Sequence, residues 1–215
     1  MTNYAIIFDL DGTLIDSRAD LTTVVNLTRR EFGLEPLPME LVVTYVGEGI
    51  RNLISRAMPE AGTRLGEAVT VARRHYEQHL LDETTVYPGT ADALRKLRAL
   101  GYKLGVVTNK PQKFTDAILR GFGLNGYFTV VIGGDSGLPL KPDPAALFSV
   151  LEQCGVQPSP LSWIIGDHHA DLEAGRRAGL SRCFCRFGFG DPRNETYELA
   201  VDSLGELIAH LTENR

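Results

Sequence analysis

The chain alternates between short apolar runs and amphipathic stretches. Nearly continuous apolar runs cover residues 4–8, 102–107, 128–132 and 163–165, and a further strand-like run covers 182–186. Runs without polar interruption suit strands buried on both faces of a parallel sheet. Between them, helical spacing predicts amphipathic helices over 90–100, 113–122, 144–154, 170–178 and 203–211. Strands alternating with helices predict an α/β fold with a doubly wound, Rossmann-like parallel sheet. The strand over 182–186 is read as placing Cys183 and Cys185 on opposite faces.

One interval breaks the alternation. No convincing strand lies between the first apolar run and the second, and three helical stretches fit there, over 18–32, 38–58 and 63–81. Ser17 and Asp20 have the spacing of a capping box for the first. The second is interrupted at Val46-Gly47-Glu48-Gly49, and the third carries Leu65, Ala68, Val69, Ala72 and Tyr76 on one stripe. Residues 16–84 therefore read as a helical cap inserted after the first strand, with 1–15 and 85–215 forming the α/β core.

Composition narrows the function classes. The 215 residues are 43% hydrophobic and 23% charged, which is globular and not disordered. The formal charge of −5 disfavours a broad nucleic-acid or membrane-surface binder. No apolar run approaches a membrane span. Three cysteines, Cys154, Cys183 and Cys185, are too few and too oddly numbered for a disulfide framework. Without a basic leader at the N-terminus, the expected compartment is the cytoplasm.

The chemistry gathers at strand ends, where open parallel sheets bind ligands. The first strand runs into Asp9-Leu10-Asp11-Gly12-Thr13, and the second ends in Thr108-Asn109. Lys141 precedes a helix, and Gly166-Asp167-His168-His169-Ala170-Asp171 follows the fourth strand. Four carboxylates in one cleft repel each other strongly. A hard divalent cation resolves this, and oxygen-only donors point to Mg²⁺ and hence to a phosphate-bearing substrate. His168 and His169 are adjacent, so on a helix they point apart and do not ligate jointly. His75 and His79 have helical metal spacing but no evident third ligand, which suits a solvated face.

In their order along the chain, DLDGT, Thr108, Lys141 and GDHHAD resemble the four motifs of the haloacid dehalogenase superfamily. Within it, the stretch from Val46-Gly47-Glu48-Gly49 to Arg56-Ala57-Met58, Val107-Thr108-Asn109-Lys110-Pro111 and Ile132-Gly133-Gly134-Asp135 resemble phosphoglycolate phosphatases. The resemblance implies a Mg²⁺-dependent phosphatase acting on a small phosphorylated metabolite, 2-phosphoglycolate first. Asp9 would be the nucleophile, forming an aspartyl-phosphate. Asp11 would be the general acid and then the general base. Thr108, the Asn109 backbone and Lys141 would hold the phosphoryl group. Mg²⁺ would sit on Asp9, the main-chain carbonyl of Asp11, and Asp167, with Asp171 supporting. On the cap, Gly47 would belong to a specificity loop, and Arg51 and Arg56 would read a substrate carboxylate.

An acid at position 11 favours phosphoryl chemistry over metal-free dehalogenation. The rivals are a phosphomutase of the β-phosphoglucomutase type, a phosphatase for pyrophosphate, nucleotides or sugar phosphates, and a receiver-like phospho-acceptor module. The chain is expected to act as a monomer or homodimer.

Overall fold

The computed structural model describes residues 4–213. Six strands form one parallel sheet: β1 (Ala5–Phe8), β4 (Lys103–Val107), β5 (Val130–Ile132), β6 (Trp163–Gly166), β7 (Ser181–Cys185) and β8 (Leu199–Val201). Their order is β5-β4-β1-β6-β7-β8. The chain builds outward from β1 on one side, then crosses to β6 on the other. That reversal leaves a crevice at the carboxyl ends of β1 and β6, the usual ligand position of such sheets.

Alternation along β1 divides the core. Ile6 and Phe8 point into a large apolar cluster on one face, while Ala5 and Ile7 join a smaller cluster on the other. The first cluster is covered by α5 (Thr90–Ala99), α6 (Gln112–Gly121) and α9 (Leu204–Glu213). The second is covered by α7 (Ala145–Gln153) and α8 (His169–Ala178).

The chain leaves the sheet through β2 (Ile15–Asp16) and returns through β3 (Thr85–Val86). These pair antiparallel, Ile15 opposite Val86 and Asp16 opposite Thr85. Between them lie α1 (Arg18–Glu31), α2 (Met39–Val43), α3 (Ile50–Ala57) and α4 (Leu65–Gln78). Leu21, Val24, Leu53, Ile54, Ala68, Ala72 and Tyr76 pack into the larger core cluster, so the inserted helices share apolar contacts with the sheet domain.

Three local expectations are corrected. Ser17 does not cap α1 through its side chain; its hydroxyl donates to Asp11 Oδ1 at 2.5 Å. Asp20 instead accepts from the backbone N–H groups of Glu83 and Thr84 and from the Thr84 hydroxyl, at 3.0, 2.8 and 2.6 Å. Cys183 and Cys185 share one face, since residues two apart on a strand must do so, and both lie in the larger cluster. The strands β2, β3 and β8 escaped notice because two or three residues carry no measurable period.

Candidate active site

The site starts from the last hydrogen bonds of the sheet. The backbone N–H of Asp9 donates to Ile165 O, so the β1–β6 ladder runs to the first of the clustered acids. Beyond it the chain turns back: the N–H groups of Thr13, Leu14 and Ile15 all donate to Leu10 O. Gly12 makes the turn at φ +77°, and a Cβ there would overlap the Asp167 carboxylate. The Asp9-x-Asp11-Gly12 spacing thus places both acids above the sheet while letting the loop touch a third.

Asp9, Asp167 and Asp171 are all buried, with carboxylate oxygens within 4.8 Å of one another. Lys141 Nζ binds Asp9 Oδ1 at 2.8 Å, Asp171 Oδ1 at 2.6 Å and the Val107 carbonyl at 2.6 Å. Asp167 Oδ2 accepts from the N–H groups of Phe189 and Gly190. Asp171 Oδ2 accepts from the His168 N–H.

Burial pushes Asp9 up to about 6; Lys141 opposes the shift, while Asp171 and Asp11 add to it. Burial, then Asp171 and Asp9, hold Asp167 well above the usual carboxylate range. For Lys141 burial opposes the charge, but Asp171 and Asp9 outweigh it and keep the ammonium above its ordinary value. Three crowded carboxyl groups, two of them raised by burial, with one lysine touching two of the three, are short of positive charge. Their donors are all oxygens, which fits a hard divalent cation such as Mg²⁺.

Thr108 and Asn109 close the site from the end of β4, both buried. The Asn109 side chain accepts from the Lys141 N–H at 2.9 Å and donates to the carbonyls of Lys141 and Gly47, at 3.0 and 2.9 Å. It therefore clamps the lysine loop to β4 and reaches the inserted segment as well.

A model of the haloacid dehalogenase-like hydrolases matches residues 6–185. The chain belongs to that family. The phosphoglycolate phosphatase of Nitrosospira multiformis is 38% identical over 208 residues, spanning 93% of this chain and 90% of that protein. The phosphoglycolate phosphatase of Aquifex aeolicus is 38% identical over 203 residues, spanning 94% of each. The crystal structure of a predicted phosphoglycolate phosphatase from Haemophilus somnus shares a TM-score of 0.89 at 28% identity, covering 98% of this chain and 99% of that one. Among haloacid dehalogenase-like hydrolases, this protein is thus of the phosphoglycolate phosphatase-like kind and is a phosphoric monoester hydrolase.

A cavity opens above the acids. Asp9, Asp11, Thr108, Asn109 and Asp167 line its floor, and Leu21, Val24, Val46, Gly47, Ile50 and Leu53 line its roof. The two arginines expected to read a substrate carboxylate are not among its walls. Helix α3 turns Ile50 and Leu53, three residues apart, toward the cavity, which directs Arg51 to solvent. Arg56 is paired with Glu48.

His168 needs a correction too. It is the N-cap of α8, in extended conformation, and so is not a helical residue. The ring centroids of His168 and His169 lie 4.1 Å apart, and both rings converge on Glu48 with ligand atoms within 4.8 Å. His169 Nε2 is 3.5 Å from Glu48 Oε1 and makes no hydrogen bond. His75 and His79 pair with Glu31 and Asp82 respectively.

Lys110 went unassigned. Its Nζ donates to both oxygens of Asp11, at 2.6 and 2.8 Å, and it lines the cavity. The available signal was its place directly after Thr108-Asn109, at the carboxyl end of a buried strand.

Proposed function

We propose that this protein hydrolyses a small phosphomonoester, with 2-phosphoglycolate the first choice, through an aspartyl-phosphate on Asp9. The observation that carries the reading is the buried trio Asp9, Asp167 and Asp171, bridged by Lys141, with Asp11 two residues beyond the nucleophile. Support for the substrate comes from relatives named phosphoglycolate phosphatase at 38% identity.

In the first step an Asp9 oxygen attacks phosphorus and the bond to the alcohol breaks, with Asp11 supplying the proton the leaving oxygen needs. In the second, Asp11 takes a proton from water, the water oxygen attacks phosphorus, and Asp9 is released. Lys141 faces the negative charge that gathers on the transferring group. The Thr108 hydroxyl and the Asn109 backbone orient its oxygens. Mg²⁺ would be held by Asp9, Asp167 and the Asp11 carbonyl, with Asp171 behind them; bound there, it would neutralise charge on the phosphoryl oxygens. The segment 16–84 acts as a cap, closing Gly47 and its neighbours over the substrate and excluding water.

Replacing Asp9 with Asn removes the nucleophile while keeping its shape. Phosphate release from 2-phosphoglycolate with Mg²⁺ present is expected to fall at least about 10³-fold. Wild-type-like release by Asp9→Asn would overturn the reading.

A further inference from the structure

The cavity has one cationic wall. Among the described residues that line it, Lys110 is the only lysine or arginine. Its side chain is 3% exposed, so the charge is directed inward and not at solvent. An ammonium has three N–H donors, and Asp11 takes two of those on Lys110. Asp11 Oδ1 already accepts from the Ser17 hydroxyl, so this carboxylate is not short of donors. Opposite Asp11, the ring of Tyr76 lies 4.8 Å from Lys110 Nζ and supports the charge with its π face. That ring is fixed in turn by edge-to-face packing on Phe114.

The rest of the roof is apolar. An anionic group entering beneath Leu21, Val24, Ile50 and Leu53 would lose its hydration, and Lys110 is the one cationic side chain among the described lining residues, beside the uncharged hydroxyl of Tyr76. The proposed role of Asp11 gives that group a place. Asp11 must approach the ester oxygen, and Lys110 is hydrogen-bonded to Asp11. The atoms just beyond the ester oxygen therefore lie beside Lys110.

From this we infer that Lys110 is the specificity residue for the leaving group. It selects phosphomonoesters whose alcohol carries a carboxylate one or two carbons from the ester oxygen. Its third N–H takes that carboxylate while the other two hold Asp11, so one side chain aligns the leaving group with the acid that serves it. The inference rests on the phosphatase reading of Asp9 and deepens it, moving recognition of the carboxylate from the arginines of α3 to a lysine of the core.

The test compares 2-phosphoglycolate with ethyl phosphate, which has the same carbon count and no carboxylate. With Mg²⁺ present, wild-type kcat/KM should favour 2-phosphoglycolate by about 100-fold or more. Lys110→Met should slow both esters by loosening Asp11 and, beyond that shared loss, shrink the preference to within about fivefold through KM for 2-phosphoglycolate; Lys110→Arg should restore part of the preference. Equal losses on both substrates would overturn the inference, because Lys110 would then serve Asp11 or the fold alone. A wild-type enzyme that hydrolyses both esters equally would also overturn it while leaving the phosphatase reading intact.

A binding measurement needs no variant to fold and no turnover. 3-Phosphonopropionate, in which a CH2 replaces the ester oxygen of 2-phosphoglycolate, should bind wild-type protein at least about 30-fold more tightly than propylphosphonate. Equal affinities would overturn the inference, whatever the fate of Asp9→Asn.

Discussion

Gly47 and His168 meet where the inserted helices press on the sheet domain. Gly47 stands at φ +112°, and a Cβ there would lie 2.8 Å from His168 Nε2, so the loop seats only as glycine. The imidazole is a working part of α8: Nδ1 accepts from the Ala170 N–H at 3.3 Å, while the His168 N–H donates to Asp171. Burial, reinforced by His169, lowers His168 to about 4, with Asp9 and Glu48 opposing. The unfolded chain therefore takes up this proton near pH 6.5 and the folded protein only near 4. Stability from the neutral ring is present above pH 6.5 and is lost as pH falls toward 4. The cost is on the order of 3 kcal/mol. Thermal melts of wild type and His168→Asn should accordingly show wild type losing ground between pH 7 and 4. A difference independent of pH would refute the neutral, buried imidazole.

At the scale of elements, the two crossings between sheet and insertion are tied by a single carboxylate. Asp20, in the first turn of α1, holds the segment just before β3 through two backbone N–H groups and the Thr84 hydroxyl. The short β2–β3 pair alone is too small to fix this junction. Asp20→Ala strands buried donors at Thr84, which should cost about 2–4 kcal/mol and lower Tm by roughly 5–10 °C. Differential scanning calorimetry would measure this, and an unchanged Tm would remove Asp20 from the junction. Asn109 plays the matching part on the other side of the cleft, joining the end of β4 to the Lys141 loop and to Gly47.

Over the whole molecule, charge is concentrated where the sheet opens. Four cleft carboxylates face two lysines, Lys141 and Lys110, leaving a formal deficit that matches one divalent cation. In the metal-free protein the raised values of Asp9 and Asp167 mean that protons fill part of that deficit. Mg²⁺ bound there would displace those protons, so on the proposed function its stabilising effect should grow as pH rises through about 6. At pH 8 and 100 times its Kd, Mg²⁺ should add about 2.7 kcal/mol. The resulting rise in Tm, roughly 5–10 °C, should shrink at pH 5 and vanish in Asp167→Asn. An equal rise in that variant would place the cation elsewhere. No helix among the described residues is long and apolar enough to cross a membrane.

Much of this protein is legible in the chain because the relevant signals are local. Buried parallel strands announce themselves as apolar runs; Asp9, Asp11, Thr108 and Asp167 follow strand ends directly, and Lys141 and Asp171 stand out by their order among these motifs. Their order follows from topology, since a doubly wound sheet returns each strand end to the same edge. What the chain could not carry is direction and partnership across long separations. Arg51 and Arg56 follow the Gly47 loop and suit bidentate pairing with a carboxylate, yet the rotation of α3 turns Ile50 and Leu53 inward instead. Ser17 has the spacing of a cap, but Asp11 lies close enough to take its hydroxyl. Lys110 looks like any loop lysine until folding brings Asp11, 99 residues away, within 2.6 Å. Helix rotation and side-chain pairing depend on which surfaces meet, and only the packed molecule decides that.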